Sequence, residues 1–491
     1  MKKTARADLR GSLAGLTLGL AASVLAAAAE FQVTSIMPNT NGITITWTNP
    51  VPENAYTLQI RDSLTGGTWT NAPTRYGWPS VATHWTEPGV PAAASRFYRV
   101  MAEPIRQPQR GRLLAVKPLQ ALTALMVRGI LANEGFGTVT SAQWPVRVVS
   151  IDYETVDPYG LPIIASGACF FPQGNTNALP LLSYHHGTIM LKDHVASKGL
   201  NPPDTEPYIS GYEYTDCEPS LLFAASGYAV AMPDYLGMGD SPGYHPYQHA
   251  KTEATAAVDM LRAVRTFCST NGVSLNTQLF LCGYSQGGSV TVATHREIET
   301  YCTNEFTITA SAPMAGGYDL SGVTTDYLLT NHYYPAPWVF AYLLAAYLPI
   351  YHLADTLEEL LAPPYNRTLP ALLDGGHAEW EIKPLPSDAV TILRADYLAA
   401  LRNDPNHPLR LALRENDLYR WTPRAPIHLY YCAGDIDVPP ANALVAYQSF
   451  TNSGACCVSL IDPGYPQKLD HQSGYVPSVL AAKQWFDSLK Q

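Results

Sequence analysis

Two kinds of hydrophobic periodicity divide this chain. Between residues 30 and 103 apolar and polar positions alternate in short runs. Ile43, Ile45 and Trp47 stand against Thr44, Thr46 and Thr48, and Tyr56, Leu58 and Ile60 against Thr57, Gln59 and Arg61. A period of two marks strands with one buried face. Turn signals at Asn39-Thr40-Asn41-Gly42, Gly66-Gly67 and Glu87-Pro88-Gly89 separate the runs as in a small all-β sandwich. Residues 104–112 are polar, include Pro108, and read as a linker. From 113 to 491 short apolar runs alternate with helical ones, which predicts an α/β fold with a mostly parallel sheet flanked by helices. Expected strands cover 163–171, 179–184, 228–232, 278–282, 307–313 and 427–432, a further apolar run covers 458–461, and expected helices cover 251–268, 289–301 and 477–489. Residues 321–424 are too many for a loop and predict a helical cap inserted between two strands. Within it, Trp338 to Leu348 is almost wholly apolar but too short to span a membrane. That segment is either cap core or the lining of a substrate pocket.

The first 29 residues stand outside this pattern. Lys2, Lys3, Arg6 and Arg10 precede an apolar run from Ser12 to Ala26, and Ala27-Ala28-Ala29 supplies small residues for cleavage before Glu30. Residues 1–29 therefore read as a signal peptide, to be left out of the fold. The protein is expected to be secreted, to the periplasm or the medium, with no integral membrane segment after cleavage. Cleavage changes 31 basic and 41 acidic residues to 27 and 40, a net charge of −13. Such a surface argues against nucleic acid as a partner. At 46% hydrophobic and 15% charged residues, the chain is a packed globular one. An oxidising compartment predicts some disulfides among the eight cysteines, although Cys282 and Cys432 also suit buried strand positions. Adjacent Cys456 and Cys457 cannot easily bond each other. No Cys/His spacing matches a metal site, and no cofactor is expected. Of the four sandwich tryptophans (Trp47, Trp69, Trp78, Trp85), core packing is the better reading, with a carbohydrate-stacking platform the rival.

Chemistry concentrates at Gly283-Tyr284-Ser285-Gln286-Gly287. A serine between glycines, after an apolar strand and before a helix, is a nucleophile elbow. The pattern is weak by itself and gains force from its partners. A serine nucleophile needs a base, a carboxylate to orient that base, and donors for the oxyanion. Downstream, the strand 427–432 runs into Ala433-Gly434-Asp435-Ile436-Asp437-Val438-Pro439, which puts a carboxylate just past a strand end. Asp435 is favoured because D-x-x-V-P leaves it in the turn before the next helix; Asp437 is the alternative, with a helix N-cap as its bland reading. His471, in Asp470-His471-Gln472-Ser473-Gly474, is selected as the base by order and position. Upstream, Tyr184-His185-His186-Gly187-Thr188 follows a strand as an oxyanion loop does. The N–H groups of Thr188 and Gln286 are the expected oxyanion donors, and His186, Gly187, Tyr284 and Trp338 the expected substrate contacts.

Several of these segments resemble one family. Ala165-Ser166-Gly167, Tyr184 to Thr188, Pro233-Asp234-Tyr235-Leu236-Gly237-Met238-Gly239-Asp240-Ser241, the elbow and the Asp435 turn are similar to the secretory lipases of the α/β-hydrolase superfamily and their secreted bacterial esterase relatives. The resemblance implies an α/β-hydrolase fold with a helical cap, hydrolysis of carboxylic esters, and catalytic roles for Ser285, Asp435 and His471. It also implies an ester substrate, lipid or polymeric. Arg96-Phe97-Tyr98-Arg99-Val100 resembles the last strand of fibronectin-type-III-like modules. Two rivals to an esterase remain, a serine peptidase using the same triad and a non-catalytic glycan-binding or adhesion protein. The peptidase lacks an acidic cluster for a substrate amine, and the adhesion protein would have no use for a triad.

Overall fold

The structure, a computed structural model, describes residues 3–5, 32–39, 42–48, 54–63, 68–73, 78–87, 96–104, 107–137, 139, 141–200, 216–382 and 385–491. The leader apart from Lys3–Ala5, and the turn residues Thr40-Asn41, Gly66-Gly67 and Pro88-Gly89, lie outside them. The chain divides into two compact units, Met1–Pro108 with Tyr159–Pro162, and Gln109–Pro158 with Ile163–Gln491.

In the first unit, strands β1 (Lys3–Ala5), β2 (Val33–Asn39), β3 (Gly42–Trp47), β4 (Asn54–Arg61), β5 (Thr70–Asn71), β6 (His84–Thr86) and β7 (Phe97–Pro104) form two antiparallel sheets. Their orders are β2-β3-β6 and β1-β7-β4-β5. The alternation seen in the sequence puts Ile45, Trp47, Tyr56, Leu58, Trp85 and Val100 into one shared core. Trp47 and Trp85 are thus core residues, whereas Trp69 lies half-buried under the Arg99 guanidinium, 4.6 Å from its ring. Lys3–Ala5 belongs to the stretch that the sequence reading left out of the fold, yet it pairs along β7. The edge of β7 presents unpaired backbone groups that accept an added strand.

The second unit is built on a nine-stranded sheet. Its strands are β8 (Leu113–Leu122), β9 (Val146–Val156), β10 (Pro162–Pro172), β11 (Leu179–His185), β12 (Ala229–Pro233), β13 (Leu275–Tyr284), β14 (Ala310–Met314), β15 (Ile427–Tyr430) and β16 (Val458–Ile461). Their order is β16-β15-β14-β13-β11-β12-β10-β9-β8, parallel from β12 to β16 and antiparallel where β10 meets β12 and β8 meets β9. The central strands are apolar on both faces, as strands covered on both sides must be. Phe280 and Cys282 of β13 face one core with Leu182, Tyr184 and Phe486, while Leu279 and Leu281 face the other with Val258 and Phe267. Each large side chain so buried contributes on the order of 1.5–3 kcal/mol. After β11 the chain builds β12 on one side and β13 on the other. A reversal of this kind opens a crevice at the carboxyl ends of the strands, where such folds bind ligands.

Helices α1 (Ala124–Asn133), α2 (Glu218–Ala225), α3 (Ala250–Thr270) and α4 (Gln286–Tyr301) precede the inserted region. Between β14 and β15 the insertion carries α5 (Thr325–Thr330), α6 (Pro337–Tyr351), α7 (Tyr365–Leu372), α8 (Glu379–Ile382), α9 (Ala395–Asn403) and α10 (Pro408–Glu415). Leu343, Leu344 and Tyr347 of α6 are buried, so its apolar run is packed as core. Tyr347 donates to the Gln248 carbonyl at 2.8 Å and Tyr342 to the Ile189 carbonyl at 3.3 Å, which fastens α6 to the loops after β12 and β11. Helices α11 (Ala441–Asn452) and α12 (Tyr475–Leu489) complete the unit, and no described helix is long and apolar enough to cross a membrane.

All eight cysteines are free thiols, which overturns the expectation of disulfides. Six are buried as small apolar residues within the cores and strands, and Cys456 and Cys457 are exposed.

Candidate active site

The elbow is a product of close packing between β11, β13 and α4. Ser285 has φ 57° and ψ −120°, a left-handed strained conformation held by its N–H bond to the Met314 carbonyl at 2.9 Å. The helix begins at Gln286, three residues earlier than the apolar spacing predicts, so its first turn starts beside the serine hydroxyl. A Cβ at Gly287 would lie 1.9 Å from the carbonyl oxygen of His185, on the neighbouring strand. Gly287→Ala must therefore push β11 away from α4. Its cost should exceed the ~1–3 kcal/mol of ordinary overpacking. We expect a lowered Tm together with loss of esterase turnover; a variant with wild-type Tm would mean that the two backbones are farther apart.

The structure brings three of the predicted residues into one hydrogen-bonded line. His471 Nε2 lies 2.9 Å from Ser285 Oγ, and His471 Nδ1 lies 2.6 Å from Asp435 Oδ2. The second oxygen, Asp435 Oδ1, accepts the N–H groups of Asp437 (2.9 Å) and Val438 (2.8 Å). Those bonds curl the turn around Asp435 and leave it 4% exposed, so it, and not Asp437, meets the imidazole. Burial opposes a charge on His471, but the hydrogen bond and charge of Asp435 outweigh it and raise its pKa above the ordinary histidine value. Burial chiefly raises the carboxyl of Asp437.

The proposed oxyanion loop leaves β11 beside β13, with His185 opposite Gly283 in register. Gly187 comes close to Ser285, since a Cβ there would sit 3.9 Å from that of Ser285. Thr188 Oγ1 is 2.9 Å from the Tyr247 hydroxyl, and Tyr247 stacks on Tyr342 of the cap at 4.8 Å. Gln286 is buried and donates its side-chain amide to Glu253 Oε1 at 2.7 Å. Its Nε2 also lies 2.9 Å from His245 Nε2. Burial pushes Glu253 up to about 7 and holds His245 down to about 3.

Of the expected substrate contacts, two are buried and hydrogen-bonded within the protein. His186 is buried, with Nδ1 2.7 Å from the Gly187 carbonyl and its ring 4.2 Å from that of Tyr235. Tyr284, 5% exposed, donates its hydroxyl to the His471 carbonyl at 2.6 Å. Tyr284 is turned into the core because the residue before the elbow follows Phe280 and Cys282 on the buried face of β13, whereas His186 lies past the end of β11 and is held by Gly187 and Tyr235. Trp338 is half-buried in the first turn of α6. Sequence reasoning missed Asp216, Glu253 and Tyr475, which meet Gly187, Gln286 and Tyr284 across distant segments. Among the described residues no cluster of His, Cys, Asp and Glu could hold a metal ion.

Comparisons with known proteins bear on this arrangement. Residues 212–312, which run from before α2 through the elbow to β14, match the model of the secretory lipase family. The rice cell wall degrading esterase LipA from Xanthomonas oryzae is 27% identical, with a TM-score of 0.67, and the match covers 78% of this chain and 100% of that one. A Legionella pneumophila protein is 26% identical with a TM-score of 0.68, covering 77% of this chain and 98% of that one. The protein is a carboxylic-ester hydrolase of the α/β-hydrolase fold. Candida antarctica lipase A in its closed state, 17% identical with a TM-score of 0.58 over 79% of this chain and 84% of that one, shares the fold with the esterase. No curated protein matches the chain. The fibronectin-type-III resemblance of the esterase's N-terminal strands rests on their sequence pattern.

Proposed function

We propose that the protein is a secreted esterase or lipase that works through an acyl-enzyme, with Ser285 as nucleophile, His471 as base and Asp435 as orienting acid. The observation that carries this reading is the unbroken line from Ser285 Oγ to His471 to Asp435, at 2.9 and 2.6 Å. In the first step Ser285 Oγ attacks the ester carbonyl carbon while His471 Nε2 takes the hydroxyl proton. The Asp435 carboxylate stabilises the imidazolium that forms. The carbonyl oxygen becomes an oxyanion facing the N–H groups of Thr188 and Gln286, the latter at the positive end of α4. Collapse breaks the bond to the alcohol, which leaves with the proton from His471 Nε2. Water then attacks the acyl-enzyme by the same route, releasing the acid and restoring Ser285.

The proposed substrates are carboxylic esters, lipid or polymeric. Esters on wall polysaccharides are included because LipA is described as cell wall degrading. In this reading residues 1–29 direct export, residues 30–103 form a fibronectin-like module, residues 104–112 link it to the hydrolase, and the cap at 321–424 sets which acyl chains enter. The test is turnover of aryl esters of increasing acyl length against aminoacyl amides by the purified protein. Ester turnover with amides left intact is expected; the opposite preference would establish a peptidase, and no turnover of either would favour an adhesion protein.

A further inference from the structure

A carboxylate outside the proposed triad connects both of its flanks. Asp216, just before α2, has φ 50°, a left-handed conformation uncommon outside glycine that aspartate adopts more readily than most residues. Its Oδ2 accepts the N–H of Gly187 at 2.8 Å, and Gly187 immediately precedes Thr188 in the oxyanion loop. Its Oδ1 accepts the hydroxyls of Tyr184 at 3.1 Å and of Tyr475. Tyr184 belongs to β11, which feeds the same loop. Tyr475 opens α12 and packs edge-on against Tyr284 at 5.2 Å, and Tyr284 donates to the carbonyl of His471. One side chain thus touches the backbone of the oxyanion loop and, through two tyrosines, the segment that carries the base.

We propose that Asp216 is a positioning residue that holds the oxyanion loop in register with the histidine segment, so that donor and base meet the same tetrahedral centre. The inference rests on the reading of Ser285 as nucleophile. The physical argument is one of leverage. An oxyanion donor acts only within about 2.7–3.1 Å of the developing charge, and a displacement of about 1 Å can cost on the order of 10²-fold. Gly187 without its acceptor leaves the Thr188 N–H free to swing. Partial burial pushes the Asp216 carboxyl up to about 6, yet a protonated carboxyl still offers one oxygen to Gly187, so the clamp is one of geometry more than of charge.

Asn at this position tests that distinction, because its carbonyl oxygen can accept from Gly187 while its amide donates to the tyrosine oxygens. The experiment compares wild type, D216A, D216N and Y475F. It measures kcat and KM on a soluble aryl ester, inhibition by an aryl boronic acid whose tetrahedral adduct on Ser285 places an oxygen in the hole, and Tm. For D216A we expect kcat to fall about 10- to 100-fold and boronate affinity to fall with it, with KM within about twofold. D216N should stay within about threefold of wild type, and Y475F should lose a few-fold in both kcat and boronate affinity. A merely structural role would lower Tm without a matched loss of boronate affinity, and would overturn the proposal. So would D216A with wild-type kcat, or D216N as impaired as D216A. Should D216A not fold, Y475F decides, and unchanged kcat and boronate affinity there sink the idea. Fluorophosphonate labelling of the wild type separates the two levels. Absence of label on Ser285 removes the nucleophile reading and this inference together, whereas labelled wild type with an unaffected D216A removes the inference alone.

Discussion

Ser285→Ala should abolish ester turnover and leave the fold intact. The hydroxyl sits at a half-exposed turn and its hydrogen bond is to His471, so its removal orphans no donor that water cannot satisfy. The backbone strain at Ser285 is fixed by β14 and Gly287 and not by the side chain, so alanine inherits the same φ of 57°. Loss of a nucleophile in a triad lowers kcat on the order of 10⁴- to 10⁶-fold, with the residue of activity coming from the oxyanion donors and binding. Steady-state rates on an aryl ester, beside circular dichroism and Tm, check both halves of the expectation. Retention of more than a few per cent of wild-type kcat in a folded variant would place the nucleophile elsewhere.

Asp435→Asn carries the second largest expected effect, and pH gives it a signature. His471 must be neutral to accept the serine proton, so activity is present above its pKa and fades as pH falls through it. That pKa lies above the ordinary 6.5 because the hydrogen bond and charge of Asp435 outweigh burial. In wild type the acid limb of kcat/KM should therefore stand above pH 6.5. The asparagine variant removes the charge and can impose the wrong tautomer on the ring, so kcat should fall roughly 10⁴-fold. What activity remains should keep its acid limb at lower pH, because burial then acts unopposed by Asp435. Asp437→Asn offers the contrast. That carboxylate touches His471 only through space, so turnover should change little and the acid limb should move down slightly. Reversed rankings of the two variants would shift the acid two residues along the chain.

Much of this arrangement was legible in the chain because its signals are local. The elbow needs glycines around a strained serine, and strands buried on both faces need continuous apolar runs. The order of serine, acid and histidine follows from the order of strands. Boundaries were less legible. The elbow helix starts at Gln286 and not Ser289, and α12 starts at Tyr475 and not Pro477, because helix ends are set by where backbone hydrogen bonding begins, at the Ser285 and Gly474 carbonyls, and not by apolar period. The edge strand β8, with exposed Leu114 and Val116, carries too little alternation to be seen.

Sequence by itself determined the α/β alternation, the position of the elbow, and the short list of residues able to act as base and acid. Tertiary structure decided what depends on contacts between distant segments. It set Asp435, and not Asp437, within hydrogen-bond reach of the His471 ring 36 residues downstream. It buried Tyr284 and His186, two of the expected substrate contacts. It also assembled Asp216, Gly187, Tyr184 and Tyr475, residues up to 291 positions apart, around one carboxylate. Periodicity reports which face of an element is buried; which partner waits on that face is set by how the elements pack, and no local pattern encodes it.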